Sequence, residues 1–232
     1  MKDKGTAVII GAGSGLSASL ALSLADAGYD IVLGARDTGK LQDLSETTGA
    51  RCVSLDGSNP DAVAALYADL PGPLRVAIYN PSARIRGDIA ELDPETVRKA
   101  IEVTAFGSFL TGREAARLML QNEGETKGTI LFTGASAGVK GFAGSATFAM
   151  GKFAQRGLAQ SMSRELHPKG IHVAWVNIDG GISNPDRAGR ADDGSNAMLD
   201  PDAIAESYLH LIEQHRSAWS SEITLRPWVE TF

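Results

Sequence analysis

Short runs of apolar and β-branched residues recur along the chain, at residues 6–10, 31–33, 51–55, 75–79, 128–133, 172–177 and 222–225. Longer stretches that mix apolar and polar positions separate them, at residues 15–27, 40–47, 61–70, 94–121, 147–166 and 201–215. Several of the short runs lack the strict alternation of a half-exposed strand. Uniform apolarity is what a strand needs when helices cover both faces of its sheet. The alternation therefore predicts a doubly wound α/β fold: a parallel sheet of about seven strands, right-handed crossovers and helices on both faces. Two segments, Asp93-Pro94-Glu95 and Asp200-Pro201-Asp202, each place a capping acid before a proline at the first helical position. His167-Pro168-Lys169-Gly170 reads as a helix stop ahead of the sixth strand. Residues 183–200 are rich in Asn, Asp, Gly, Ser and Arg and predict a loop that lids a substrate site.

Composition narrows the picture without redirecting it. With 232 residues and no low-complexity tract or linker, residues 1–232 are expected to form a single domain with a substantial core. A net charge of −6 and the lack of any Lys/Arg run argue against nucleic acid as a partner. The first apolar run stops at a glycine turn, so neither a signal peptide nor a membrane span is expected. The single cysteine, Cys52, lies in a strand run and is expected to be a buried thiol in a cytoplasmic protein. His167 and His172, like His210 and His215, are five apart, which does not align ligands on one helix face; no metal is expected. Trp175, Trp219 and Trp228 are expected to serve packing or a subunit interface.

Candidate chemistry begins where the first strand runs into Gly11-Ala12-Gly13-Ser14-Gly15-Leu16 and then a helix. Glycines allow a tight turn and close backbone approach to a pyrophosphate, which sits at the helix amino terminus. In Rossmann-like dinucleotide folds an acid about twenty positions further on binds the ribose 2′-hydroxyl. Here that place reads Gly34-Ala35-Arg36-Asp37. Ala35 offers no repulsion to a 2′-phosphate and Arg36 can pair with one, so NADP(H) is favoured over NAD(H). Asp37 is left to cap the next helix.

With these residues the chain resembles the short-chain dehydrogenase/reductase family, from Thr6 to about Leu225. The family's Thr-Gly-x-x-x-Gly-x-Gly reads here as Ile10-Gly11-Ala12-Gly13-Ser14-Gly15-Leu16-Ser17. The resemblance assigns Asp56 to the adenine and Asn80, in Tyr79-Asn80-Pro81-Ser82, to the turn after the fourth strand. It places Asp179-Gly180-Gly181-Ile182 beside the nicotinamide, so Gly180 and Ile182 join the cofactor residues with Gly11, Gly13, Ser14, Gly15, Leu16 and Arg36.

The family's Tyr-x-x-x-Lys pair, one helical turn apart, appears as Phe148-Ala149-Met150-Gly151-Lys152. Lys152 fits both a catalytic and a ribose-binding role, but Phe148 has no ionisable proton. General acid–base catalysis is typically worth about 10²–10⁴-fold, so the missing phenol matters. The family's serine falls on Ala135 or, with a one-residue adjustment, Ser136; its assisting asparagine falls on Thr104. This pattern, with the ending from Trp219 to Trp228, resembles an atypical subgroup with Phe in place of Tyr. Thr133, Thr147, Ser136, Lys152 and Tyr79 are the remaining candidates for a proton donor.

Three readings follow. One is an NADPH-dependent reductase of a small carbonyl or activated alkene with an unusual proton source. Another is a noncatalytic NADP(H)-binding sensor or partner subunit. The third is an enzyme such as a lyase or isomerase that uses the fold without redox. The resemblance also implies a homodimer or homotetramer paired through residues 94–121 and 147–166, with Phe153 and Leu158 on the contact face. A small-molecule substrate would sit between residues 83–89 and 183–200.

Overall fold

The computed structural model describes residues 4–184, 186–191 and 193–230. Its strands are β1 (Thr6–Ile10), β2 (Asp30–Ala35), β3 (Arg51–Ser54), β4 (Leu74–Tyr79), β5 (Gly128–Thr133), β6 (Ile171–Ile178), β7 (Gly181–Ile182), β8 (Met198–Leu199) and β9 (Glu222–Leu225). Its helices are α1 (Leu16–Asp26), α2 (Gln42–Thr48), α3 (Pro60–Ala68), α4 (Pro94–Ile101), α5 (Gly107–Met119), α6 (Ala146–Leu166) and α7 (Pro201–Glu213). Seven strands form one parallel sheet in the order β3-β2-β1-β4-β5-β6-β9. The predicted doubly wound α/β fold is therefore the fold observed.

Both faces of the sheet are covered. Ala7, Ile9, Leu33 and Ile78 pack with Leu20 and Leu24 of α1 and Tyr208 and Leu211 of α7. Their strand neighbours Val8, Ile10, Val32 and Ala77 turn to the other side, toward Val63, Leu66, Leu110 and Ala159 on α3, α5 and α6. Each fully buried large aliphatic or aromatic side chain contributes about 1.5–3 kcal/mol, which explains the runs with no polar alternation. Helix starts follow the sequence: Asp93 accepts from Thr96 N, and Asp200 from Asp202 N, each with proline next in the chain. Among the described residues no helix is long and apolar enough to cross a membrane.

Three expectations need correction. The helix predicted over 94–121 is α4 and α5 joined by a π-helical turn, Glu102–Phe106, and its α-helical part ends at Met119. One inserted residue leaves an apolar pattern almost intact, so periodicity does not reveal it. Segment 183–200 is not loop throughout, because Met198 and Leu199 pair as β8 with Gly181 and Ile182 of β7. Cys52 is half-buried rather than buried, because β3 is the edge strand and has only β2 beside it.

The strand order reverses between β1 and β4. At such a switch point the loops leaving the two strands diverge and open a crevice at the carboxyl edge. The first residues beyond β1, β2, β4, β5 and β6 are Gly11, Arg36, Asn80, Gly134 and Asp179.

Candidate active site

The glycine loop leaves β1 at the switch point. Gly11 and Gly15 have φ of 85° and 81°, a region that side-chain-bearing residues rarely adopt. A Cβ on Gly11 would lie 2.7 Å from Pro81 Cδ, and one on Gly15 would lie 2.9 Å from Asn184 Nδ2. No atom lies within 4 Å of where a Cβ on Gly13 would stand. Ser14 is exposed, whereas Leu16 is buried at the start of α1. The start of α1 has no side-chain cap, leaving its first amides for a ligand. This open, uncapped turn fits a diphosphate. Arg36 is exposed beyond β2; Asp37 accepts from Gly39 N at 3.1 Å but is not the helix cap expected of it, because Thr38 stands at the N-cap of the short turn Gly39–Leu41 and Leu41 at that of α2. The exposed Asp56 carboxyl lies below its ordinary pKa because Ser58 donates to it through hydroxyl and amide, with Arg36 adding a smaller effect. A cation and an acid thus stand together where an adenosine ribose would lie.

Asn80 is locked from both sides. Its Nδ2 donates to Ser17 Oγ at 2.8 Å, and its Oδ1 accepts from Thr133 Oγ1. Ser17 Oγ donates onward to Gly11 O at 2.9 Å, and Tyr208 OH lies 2.8 Å from Thr133 Oγ1. Ser17, which replaces the last glycine of the family pattern, therefore ties the glycine loop to β4 and β5. Burial raises the Tyr208 phenol above its ordinary pKa, so it serves as a neutral hydrogen-bonding group at neutral pH. Tyr79 is likewise raised by burial, and it donates to Val103 O at 2.5 Å. That geometry makes it a structural residue and removes it as a proton donor.

On α6, Phe148 and Lys152 are one turn apart and both buried. Lys152 Nζ donates to Thr133 O and to Gln155 Oε1, the latter at 3.1 Å, and forms no ion pair among the described residues. Gln155 is held by Ser108 Oγ, which donates to Thr104 O at 2.7 Å. Burial, with the Arg84 guanidinium nearby, pushes Lys152 down to about 7. The Phe148 ring lies 6.0 Å from Lys152 Nζ, and the Arg84 guanidinium carbon lies 4.3 Å from the ring centroid.

Thr104 lies in the π turn, buried, with its Oγ1 accepting from Ala83 N at 3.0 Å. Thr147 Oγ1 donates to Ile85 O at 2.7 Å and accepts from Ile85 N at 3.3 Å, so it faces away from the crevice. Ser136 and Ala135 are both half-buried past β5, with Ala135 extended at φ −161°. Burial of Asp179 opposes its ionisation, but the Ser136 hydroxyl, Arg226 and Lys140 together hold its carboxyl below the ordinary range. Gly180 packs against Pro227 and Leu199, and Ile182 lies in the β7–β8 pair. Asn184, just past β7, reaches back to Ser14 O at 3.2 Å. The structure thus gathers the glycine loop, Asn80, Ser136, Phe148, Lys152, Gly180 and Ile182 at one sheet edge. Arg84, Gln155, Asn184, Arg190 and Tyr208 are additions that sequence reasoning missed. No spacing pattern marks them, because tertiary crossings alone bring them in. His172, by contrast, is buried with Nδ1 and Nε2 against Leu211 O and Ser220 O, at 3.0 and 2.8 Å.

Comparison with known proteins fixes the class. The sequence profile described as short chain dehydrogenase matches residues 5–190. A solved short-chain dehydrogenase from Rhodopseudomonas palustris is 38% identical, with a TM-score of 0.82 over 97% of this chain and 99% of that one. A metagenomic short-chain oxidoreductase in complex with NADP is 26% identical, with a TM-score of 0.81 over 97% of this chain and 98% of that one. An uncharacterized oxidoreductase of Staphylococcus saprophyticus is 25% identical over 236 residues, covering 98% of each chain. The chain belongs to the short-chain dehydrogenase family and is an oxidoreductase of that family.

Proposed function

We propose that this protein is an NADPH-dependent reductase of a small carbonyl compound or activated alkene, in which Lys152 supplies the proton that a phenol at position 148 would otherwise give. One observation carries the reading: a buried lysine without a carboxylate partner among the described residues, pushed down to about 7, one helical turn from a phenylalanine. A solution lysine at neutral pH is a weak acid; one with a pKa near the working pH is well matched to proton transfer.

In this reading the turn from Gly11 to Leu16 holds the pyrophosphate, Arg36 the 2′-phosphate and Asp56 the adenine. Asn80, Gly180 and Ile182 border the nicotinamide. The bound NADP complex of the metagenomic relative supports the choice of cofactor, and Arg36 in place of an acid supports NADP(H) over NAD(H). NADPH, when bound, supplies a hydride to the electrophilic carbon. Ser136 orients the acceptor group by donating a hydrogen bond. Lys152 Nζ gives a proton directly or through one water and regains it from solvent. Phe148 is a dry wall that keeps Nζ desolvated, and Thr104 fixes the chain at Ala83 in place of an amide.

The test is NADPH oxidation over a panel of ketones, oxo acids and enones, with wild type, Phe148→Tyr and Lys152→Met. Wild type is expected to turn over at least one member, with activity falling on the alkaline side as Lys152 deprotonates. Lys152→Met is expected to lose at least a hundredfold in kcat, the lower range for a lost general acid. Tight NADPH binding with no oxidation across the panel would contradict this proposal and point to a binding protein.

A further inference from the structure

Two cations stand against the Phe148 ring, Arg84 at 4.3 Å and Lys152 at 6.0 Å from its centroid. Arg84 leaves β4 in a segment pinned on both sides: Ala83 N donates to Thr104 Oγ1, and Ile85 exchanges two hydrogen bonds with Thr147 Oγ1. With the backbone held by those tethers, the Arg84 guanidinium carbon lies 4.3 Å from the Phe148 ring centroid, in a cation–π contact. Arg190 comes from the other wall. Asn184 N donates to Arg190 O at 2.7 Å while Asn184 Nδ2 reaches Ser14 O, which folds the lid back on the glycine loop. The Arg190 guanidinium then lies directly on Gly181, where a Cβ would collide with Nη1. Lys152 sits beneath the same ring.

None of Arg84, Arg86 or Arg190 forms an ion pair among the described residues, although the chain carries net charge −6. Among the described residues, twelve ion pairs elsewhere engage eleven other basic residues. Burial first, then Arg86 and Arg190, hold the Arg84 guanidinium below its ordinary pKa. Like charges gathered without counter-charge repel one another, and an anion placed among them relieves that cost.

We infer that the substrate carries a carboxylate and that Arg84, seated on the Phe148 ring, and Arg190, beside Gly181, bind it, which makes the favoured substrate a small oxo acid. This rests on the reductase reading for its chemistry but not for its binding. A guanidinium fork pairs with a carboxylate in bidentate fashion. Phe148 thereby acquires a positive role: a tyrosine hydroxyl would compete for the same carboxylate space, whereas a phenyl ring only supports the arginine.

The probe is malonate, with malonamide as its neutral counterpart, titrated calorimetrically into wild type, Arg84→Gln and Arg190→Gln, free and saturated with NADP+. The expected result is one malonate bound per chain in the presence of NADP+, no malonamide binding, and at least a tenfold loss of malonate affinity in each variant. Malonate displaced by NADP+ would overturn the inference, because the arginines would then serve the cofactor phosphates. Equal malonate affinity in wild type and Arg84→Gln would overturn it too. If NADPH is never oxidised, the reductase reading fails, while malonate binding still decides the role of the arginines.

Discussion

At the scale of single residues, the buried Lys152 makes stability depend on pH. Its folded pKa of about 7 lies below the ordinary value of 10.5, so the unfolded chain binds the extra proton between those two values. Stability therefore rises with pH across that window, and below about pH 7 the full cost of the buried ammonium is present. Lys152→Met removes a cost on the order of a few kcal/mol. Its gain in melting temperature over wild type is expected to be largest near pH 6 and to shrink steadily toward pH 10; a gain independent of pH would contradict the assigned shift. Much of this site was legible in the sequence. The four-residue step from Phe148 to Lys152 is fixed by helix geometry, and the glycine turn by the strand before it. The segments that carry Arg84 and Arg190 were expected to border the substrate, but neither arginine was singled out, because the ring and the glycine they lie against are distant in sequence. Neither lies in a periodic pattern, and each taken alone is a polar loop residue.

At the scale of elements, strand positions were readable because two-sided burial leaves no polar alternation, and helix starts because Asp-Pro pairs cap them. The π turn was hidden, since one extra residue shifts the helical register without changing which residues are apolar. Its position has a sharp packing consequence at its end. Gly107 sits so close to β4 that a Cβ there would overlap Tyr79 Oη and lie 2.7 Å from Gly57 O. Gly107→Ala is expected to cost about 1–3 kcal/mol by overpacking, a fall of several degrees in melting temperature. Tyr79→Phe in the same chain should restore part of it by removing the hydroxyl. An unshifted melting curve for Gly107→Ala would contradict this packing. On α3, Asn59 accepts from Asp61 N and Ala62 N, both at 3.0 Å. Asn59→Ala should cost about 1 kcal/mol in denaturant unfolding, and a null effect would show that the cap is dispensable.

At the scale of the whole molecule, the sheet supplies a rigid edge and the loops supply the chemistry. Its outer surface carries an unusual apolar strip on α5, α6 and the turn before α5. Phe106, Phe109, Met150 and Phe153 are 41%, 45%, 53% and 45% exposed, and the two α5-side rings stack at 6.1 Å. We propose that a second copy covers this strip, the pairing that the family resemblance implies. Light scattering should give a dimer or larger, and Phe109→Glu with Phe153→Glu should give monomers; a monomeric wild type would refute the pairing. We propose that this family oxidoreductase prefers NADP(H), and the decisive measurement is titration of wild type and Arg36→Leu with NADPH and with NADH. Wild type is expected to bind NADPH at least tenfold more tightly than NADH, with the difference lost in Arg36→Leu. Equal affinity for the two nucleotides in wild type, or binding of neither, would contradict it.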